Sequence, residues 1–141
     1  MRVGKQLVRQ FYERVWDAHD KAAIPDILHD DFSFRGSLGQ ELRGHAGFAG
    51  YVDMVHAGLD DYRCVIQEMV EESNKVFAKM LFTGVHRATL MGYPPTNKRV
   101  SWHGAALFTI DGERISQVWV LGDLKSLEAQ LGAERSESSN G

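Results

Sequence analysis

Apolar positions follow helical spacing in the first part of the chain and strand spacing in the second. In residues 4–18, Leu7, Val8, Phe11, Tyr12, Val15 and Trp16 recur three or four apart, with Lys5, Arg9, Glu13 and Asp17 opposite. That spacing predicts an amphipathic helix. Lys21–His29 reads as a second, short helix with Ile24, Ile27 and Leu28 inward; Pro25 is tolerable there only near the first turn. Asp31–Arg35 alternates weakly and predicts a short strand, ended by Gly36-Ser37-Leu38-Gly39. Residues 45–59 put Phe48, Tyr51, Val52, Val55 and Leu59 on one helical face. Four strands are expected next, over Tyr62–Glu71, Lys75–Arg87, Arg99–Ile110 and Ile115–Leu121. A last helix, Leu124–Leu131, precedes a polar, disordered tail at Arg135–Gly141.

Helices first and antiparallel strands after define an α+β domain, expected over residues 1–132 with the tail at 133–141. Met91-Gly92-Tyr93-Pro94-Pro95-Thr96-Asn97 is excluded from helix, because two prolines fix φ and remove two donors. Asp111-Gly112 between apolar runs signals a hairpin with a type I′ turn. Ala105-Ala106-Leu107-Phe108 and Val118-Trp119-Val120-Leu121 are apolar on consecutive positions, whereas a half-exposed antiparallel strand alternates. Both sheet faces are therefore expected to be buried, one under helices and the other against a second copy of the chain, making a homodimer.

Composition narrows the function classes. The 141 residues are 43% hydrophobic and 25% charged with a net charge of −3, an ordinary mix for one globular domain. That charge argues against a nucleic-acid partner held by phosphate neutralisation. No apolar run reaches the roughly 18 residues a membrane span needs, and no signal-peptide core opens the chain. With Cys64 as the one cysteine, no internal disulfide can form, and a cytoplasmic location is expected. No His, Cys or carboxylate spacing suggests a metal, and no glycine-rich cradle suggests a phosphate cofactor, so neither a metal nor a cofactor is expected.

The most distinctive stretch is Gly84-x-His86, Met91-Gly92-Tyr93-Pro94-Pro95-Thr96-x-Lys98-Arg99-Val100, Phe108-x-x-Asp111-Gly112-x-x-Ile115 and Trp119-x-x-x-Asp123-x-x-x-Leu127-x-x-Gln130-Leu131-Gly132. With looser matches at Phe11-Tyr12-x-x-Val15-Trp16, Asp31-Phe32 and Gly44-x-x-Gly47-Phe48, it resembles the SnoaL-like polyketide cyclases of the NTF2-like superfamily. The resemblance implies a cone: a curved antiparallel sheet wrapped around N-terminal helices and enclosing an apolar cavity. Period-two alternation with Lys79 outward sets Ala78, Met80, Phe82 and His86 on the inner face. By the family pattern Trp102, Gly104, Ala106, Phe108, Val118 and Val120 also face in. Trp16, Phe34, Tyr51 and Val55 are expected to complete the lining. Such a wall suits a flat, mostly apolar ligand; the alternative is a solid core.

Family cyclases close a ring by an intramolecular aldol step, which needs a proton-transferring acid and base. The family's acid/base aspartate matches Val120 here, and its supporting histidine matches Ala106, so neither role carries over. The polar candidates that remain are His86, Asp123 and Arg35. His86 has inward parity and an imidazole suited to proton transfer near neutral pH, or it is a hydrogen-bonded structural histidine. Asp123 either caps the last helix or stands at the pocket mouth. Arg35 either anchors a carboxylate or enolate or pairs at the rim. His103 is expected to point away from the cavity, toward an interface, unless a bulge flips the strand. The hydroxyls of Tyr12 and Tyr51 either reach a ligand or satisfy buried carbonyls. The function expected is a cofactor-free acid/base enzyme acting on an apolar aromatic or polyketide-like ketone or ester. The alternatives are a polyketide hydroxylase-like protein and a non-catalytic binder of an apolar small molecule.

Overall fold

The first helix is fixed at its start by a carboxylate from far along the chain. In the computed structural model, which describes residues 3–132, Glu71 accepts hydrogen bonds from the Gly4 and Lys5 amides at 3.2 and 3.1 Å. These are two of the donors a helix start leaves unpaired, and the negative charge suits that end of the helix dipole. Helix α1 (Gly4–Gln10) then widens into a π-helical stretch, Phe11–Asp17, closed by the Ala18 amide donating to the Glu13 carbonyl at 3.0 Å. The single helix expected over residues 4–18 is thus two geometries end to end. Widening keeps Phe11, Tyr12, Val15 and Trp16 all buried. It also turns Asp17 toward the sheet, where Oδ1 accepts from the Cys64 amide at 2.8 Å. The tail expected at 133–141 lies outside the described residues.

A short 3-10 turn at Lys21–Ala23, capped by Asp20 accepting from the Ala22 amide, leads into α2 (Ile24–Ile27), with Pro25 in its first turn. The second helix stops earlier than the expected Lys21–His29, because Leu28 is already extended and pairs with Ile115. Strand β1 therefore runs Leu28–Arg35, longer than expected. A three-residue strand β2 (Glu41–Arg43), too short to carry a period, pairs with it antiparallel. Helix α3 (Gly44–Gly58) follows, then β3 (Leu59–Glu72), β4 (Lys75–His86), β5 (Arg99–Asp111), β6 (Arg114–Gly122) and α4 (Leu124–Leu131). The Gln130 side chain of α4 clamps the Ser101 backbone of β5, accepting from its amide at 2.9 Å and donating to its carbonyl at 2.6 Å.

The six strands among the described residues form one sheet in the order β2-β1-β6-β5-β4-β3. It is not wholly antiparallel as expected: β1 and β6 run parallel, with Phe34 beside Val118 and Arg35 beside Trp119. The pair spans the whole α3–β5 excursion, and a parallel pair requires a long crossover of that kind. Curvature comes from β3, whose register against β4 slips between Asp60 and Arg63 and again between Ile66 and Glu68; such bulges bend the bulged strand. The β5–β6 turn has a positive φ only at Gly112, which is the type II′ rather than the type I′ pattern. Both central residues are positive instead at Met91 and Gly92, inside the Leu90–Tyr93 bridge.

The concave face carries the core. Phe48 of α3 packs against Phe34, Phe32, Phe11 and Trp16, with ring centroids 4.8, 5.2, 5.6 and 5.8 Å away. The opposite face is uncovered in the single chain: Phe77, Leu107, Trp119 and Leu121 remain 40–51% exposed. Among the described residues no helix is long and apolar enough to cross a membrane.

Candidate functional site

Helix, helix and sheet meet in an aromatic chamber lined by Phe11, Tyr12 and Trp16 from the first helical segment and Tyr51 from α3. The sheet supplies Phe34, Tyr62, Cys64, Phe82 and Val120, and the β1–β2 loop supplies Ser37. Alternation explains the strand members: Tyr62 and Cys64 on β3, Phe82 on β4 and Val120 on β6 share one face, while Arg63, Lys79 and Trp119 take the other. Trp16 sets its ring edge-on to Tyr51 and Tyr62 at 5.8 and 5.5 Å. The space that remains admits a water centre over only about 10 Å³, roughly one water molecule. The chamber is an almost filled aromatic core, not the open cavity expected.

Five of the expected lining residues, Trp16, Phe34, Tyr51, Phe82 and Val120, do border this space. Val55, Met80, Trp102, Ala106 and Phe108 are buried around it but do not line it. Phe11, Ser37, Tyr62 and Cys64 are members the sequence did not single out. Strict alternation through Tyr62-Arg63-Cys64 was the available signal for two of them.

Every titratable group on the lining is neutral near pH 7. Burial raises the phenols of Tyr12 and Tyr62 and the thiol of Cys64 well above their ordinary values. Burial likewise pushes Tyr51 up to about 12. Among the described residues the Tyr12 hydroxyl is buried without a hydrogen-bond partner, as is the Trp102 indole N–H nearby. A buried donor left unpaired costs stability unless something else answers it.

The three polar candidates do not converge. His86 is fully buried at the end of β4 and anchors the proline loop. Its Nδ1 accepts from the Thr96 amide at 3.2 Å, and its backbone bonds Lys98 and Asn97 at 2.9 and 2.8 Å. Accepting at Nδ1 calls for the neutral ring, and burial lowers the imidazole's pKa in the same direction. Asp123 is the N-cap of α4, accepting from the Ser126 amide at 3.1 Å. Arg35 lies on the far side of the sheet, its guanidinium 5.7 Å from the Trp119 ring centroid and donating to the Val120 carbonyl. One strand parity explains it: Phe34 points in, so Arg35 points out. His103 is exposed on that same outer face. No cluster of three or more His, Cys, Asp or Glu placed to hold a metal occurs among the described residues.

Behind the chamber, between the first helical segment and β3, runs a groove of about 550 Å³. Tyr12 and Cys64 border both spaces and form the partition between them. Lys5 and Arg9 stand near one end and Asp17 at the other; Glu13, Gln67 and Glu68 line it alongside Val65, Ile66 and Met69, so its surface is mostly polar. Asp17 is the carboxylate there whose pKa is raised, chiefly by burial and against the Cys64 amide bond and Arg63. The sequence pattern placed it on the solvent side of the helix; the π-helical turn is what brings it inward.

A family model described as SnoaL-like polyketide cyclase matches residues 6–131. A search of curated protein sequences finds no match. Among solved structures, TsrD from Streptomyces laurentii superposes with a TM-score of 0.80 at 25% identity, covering 92% of this chain and 94% of that one. A candidate polyketide cyclase from Acidithiobacillus ferrooxidans gives 0.80 at 25% identity, with 93% and 97% covered. AclR from Streptomyces galilaeus, a candidate hydroxylase, gives 0.78 at 21% identity, with 92% and 95% covered, a likeness of fold.

Proposed function

The chain belongs to the SnoaL-like polyketide cyclase family, and from that premise we propose that it binds a flat, apolar, polyketide-like ketone or ester at the aromatic chamber and acts on it by cofactor-free proton transfer. The observation that carries this reading is the Tyr12 hydroxyl. Among the described residues it is buried and without a hydrogen-bond partner, on a wall of mostly aromatic side chains with Ser37, Cys64 and Val120 between them. A fixed O–H in such surroundings is a ready donor for a ligand carbonyl, and more strongly for the enolate oxygen that forms when a neighbouring proton is lost. Because the chamber as closed has room for about one water, a ligand enters by displacing side chains rather than by filling a standing void.

A second reading, binding without catalysis, is favoured by one feature of the lining: it contains no carboxylate and no imidazole. The partner this reading carries is a second copy of the chain. The outer face sets Val70, Phe77, Leu107 and Trp119 in one cross-strand row, and an exposed apolar patch of that kind on a small domain marks a contact surface. A self-complementary row suits a twofold interface.

The binding claim is tested with 2-tetralone, a small aromatic ketone, by saturation-transfer NMR. Transfer to the aromatic protons is expected with the wild-type protein and is expected to weaken in Tyr12→Phe, which removes the hydroxyl and little else. No transfer to the wild-type protein refutes the proposal.

A further inference from the structure

We infer that the groove between the π-helical turn and β3 is the working half of the ligand site, and that Asp17 is the base that removes a proton next to the ligand's carbonyl while the Tyr12 hydroxyl holds the oxygen. The inference rests on the reading that the chamber takes an aromatic ketone. The first support is size. The chamber admits about one water, whereas the groove's roughly 550 Å³ lies within the range of ordinary small-molecule sites, about 300–1,000 Å³. The second is the partition: Tyr12 and Cys64 belong to both spaces, so a ligand seated in the groove lies against Tyr12, and its carbonyl reaches the buried hydroxyl by displacing side chains of the partition.

The third support is how Asp17 is held. One oxygen accepts the Cys64 amide at 2.8 Å, which fixes the carboxylate against β3 and leaves the other oxygen's lone pairs for a ligand. The π-helical turn that aims it is a local departure of the kind often found at functional sites. Partial burial makes Asp17 more basic than an exposed aspartate, the direction a proton-abstracting carboxylate needs. The step balances. The carboxylate takes the α-proton, the C–H electron pair moves into the enolate, and the enolate oxygen is stabilised by the Tyr12 O–H. Asp17, now protonated, exchanges its proton with water through the open groove and returns one to the same carbon.

In D2O this step replaces the α-hydrogens of 2-tetralone by deuterium, which proton NMR follows directly. The wild-type protein is expected to accelerate exchange above buffer. Asp17→Asn, which keeps the acceptor for the Cys64 amide, is expected to lose about 10²-fold or more while still showing saturation transfer from the ligand. Tyr12→Phe, which breaks no hydrogen bond within the protein, provides a second route and is expected to slow exchange as well. Exchange unchanged in Asp17→Asn, or in Tyr12→Phe if the aspartate variant does not fold, overturns the inference. Wild-type binding without accelerated exchange overturns it too, and leaves the binding reading standing. Absence of binding overturns both.

Discussion

Gly104 offers a direct measure of how tightly the roof of the chamber is closed. A Cβ at that position on β5 would stand 2.4 Å from Cε2 of Phe82 and 3.2 Å from the Leu121 carbonyl. The backbone itself permits alanine, because Gly104 is not in the positive-φ region. The Phe82 ring is boxed in by Trp102 at 5.4 Å on one side, and the chamber on the other has room for about one water, so the ring cannot swing clear. Overpacking of this kind costs about 1–3 kcal/mol, and replacing a strand glycine by alanine returns roughly 0.5–1 kcal/mol. Gly104→Ala should therefore destabilise the fold by about 1–2 kcal/mol, lowering the melting temperature by roughly 3–8 °C for a domain of this size. Chemical denaturation of wild type, Gly104→Ala, Phe82→Leu and the double variant forms a cycle. Shortening Phe82 removes the atom that clashes, so the two changes should couple by about 1 kcal/mol or more. Additivity within about 0.5 kcal/mol would show that the ring moves freely and that the chamber is not closed in solution.

Asp123→Ala should cost about 1 kcal/mol by removing the cap of α4, seen in denaturation midpoints, and leave 2-tetralone binding unchanged; lost binding would put the carboxylate at the site after all. His56 stacks on His19 with ring centroids 4.0 Å apart and donates to the Trp16 carbonyl at 2.8 Å. Burial first, then the facing His19, lowers its pKa, while Asp53, itself bonded to His19 and Lys21, opposes the shift. A histidine depressed in the folded state contributes fully above its unfolded value near 6.5, and that contribution is lost as pH falls through the folded value. Wild-type stability should thus fall more steeply between neutral and mildly acid pH than that of His56→Gln, which still donates to Trp16; equal slopes would remove the histidine from the account. Leu107→Arg places a charge in the outer apolar row; sedimentation should show a dimer for the wild type and a monomer for the variant. A monomeric wild type refutes the pairing.

Much of the fold is legible in the sequence because the signals are long. Residues 99–110 and 115–121 have no reading except strand, and Asp111-Gly112 ties them together. What was missed follows from interactions that no local period encodes. Leu28 leaves the helix because Ile115 is waiting beside it. Glu41–Arg43 is too brief to alternate. The parallel β1–β6 pair joins strands from opposite ends of the chain, a contact no local pattern encodes. At the site, period-two reasoning brought Phe82 to the chamber and the family pattern brought Val120, while Arg35, expected as an anion anchor or a rim partner, lies on the outer face one residue out of parity with Phe34. Period two brought His86 to the inner face as well, but parity does not say how far along the strand the chamber extends, and His86 lies past its end, bound to the proline loop. Asp17 was assigned to solvent by a 3.6-residue period; the π-helical turn breaks that period.

The distribution of polar groups around the two spaces explains why the strand wall tolerates valine. Val120 shares its wall with Phe34, Ser37 and Tyr51, and the nearby cation, Arg35, is committed to the opposite face, bonded to the Val120 carbonyl and stacked over Trp119. A carboxylate at that position would be desolvated with no positive partner on its own side, an arrangement that drives it to the neutral form. The helix wall differs in each respect. Asp17 receives a backbone N–H, lies close enough to Arg63 for attraction, and opens onto a groove continuous with the surface. A proton taken up there can be passed to solvent, whereas one taken up beside Val120 would have no exit. In this chain the physical requirements of a base are met on the helical side of the Tyr12–Cys64 partition and on no other wall of the chamber.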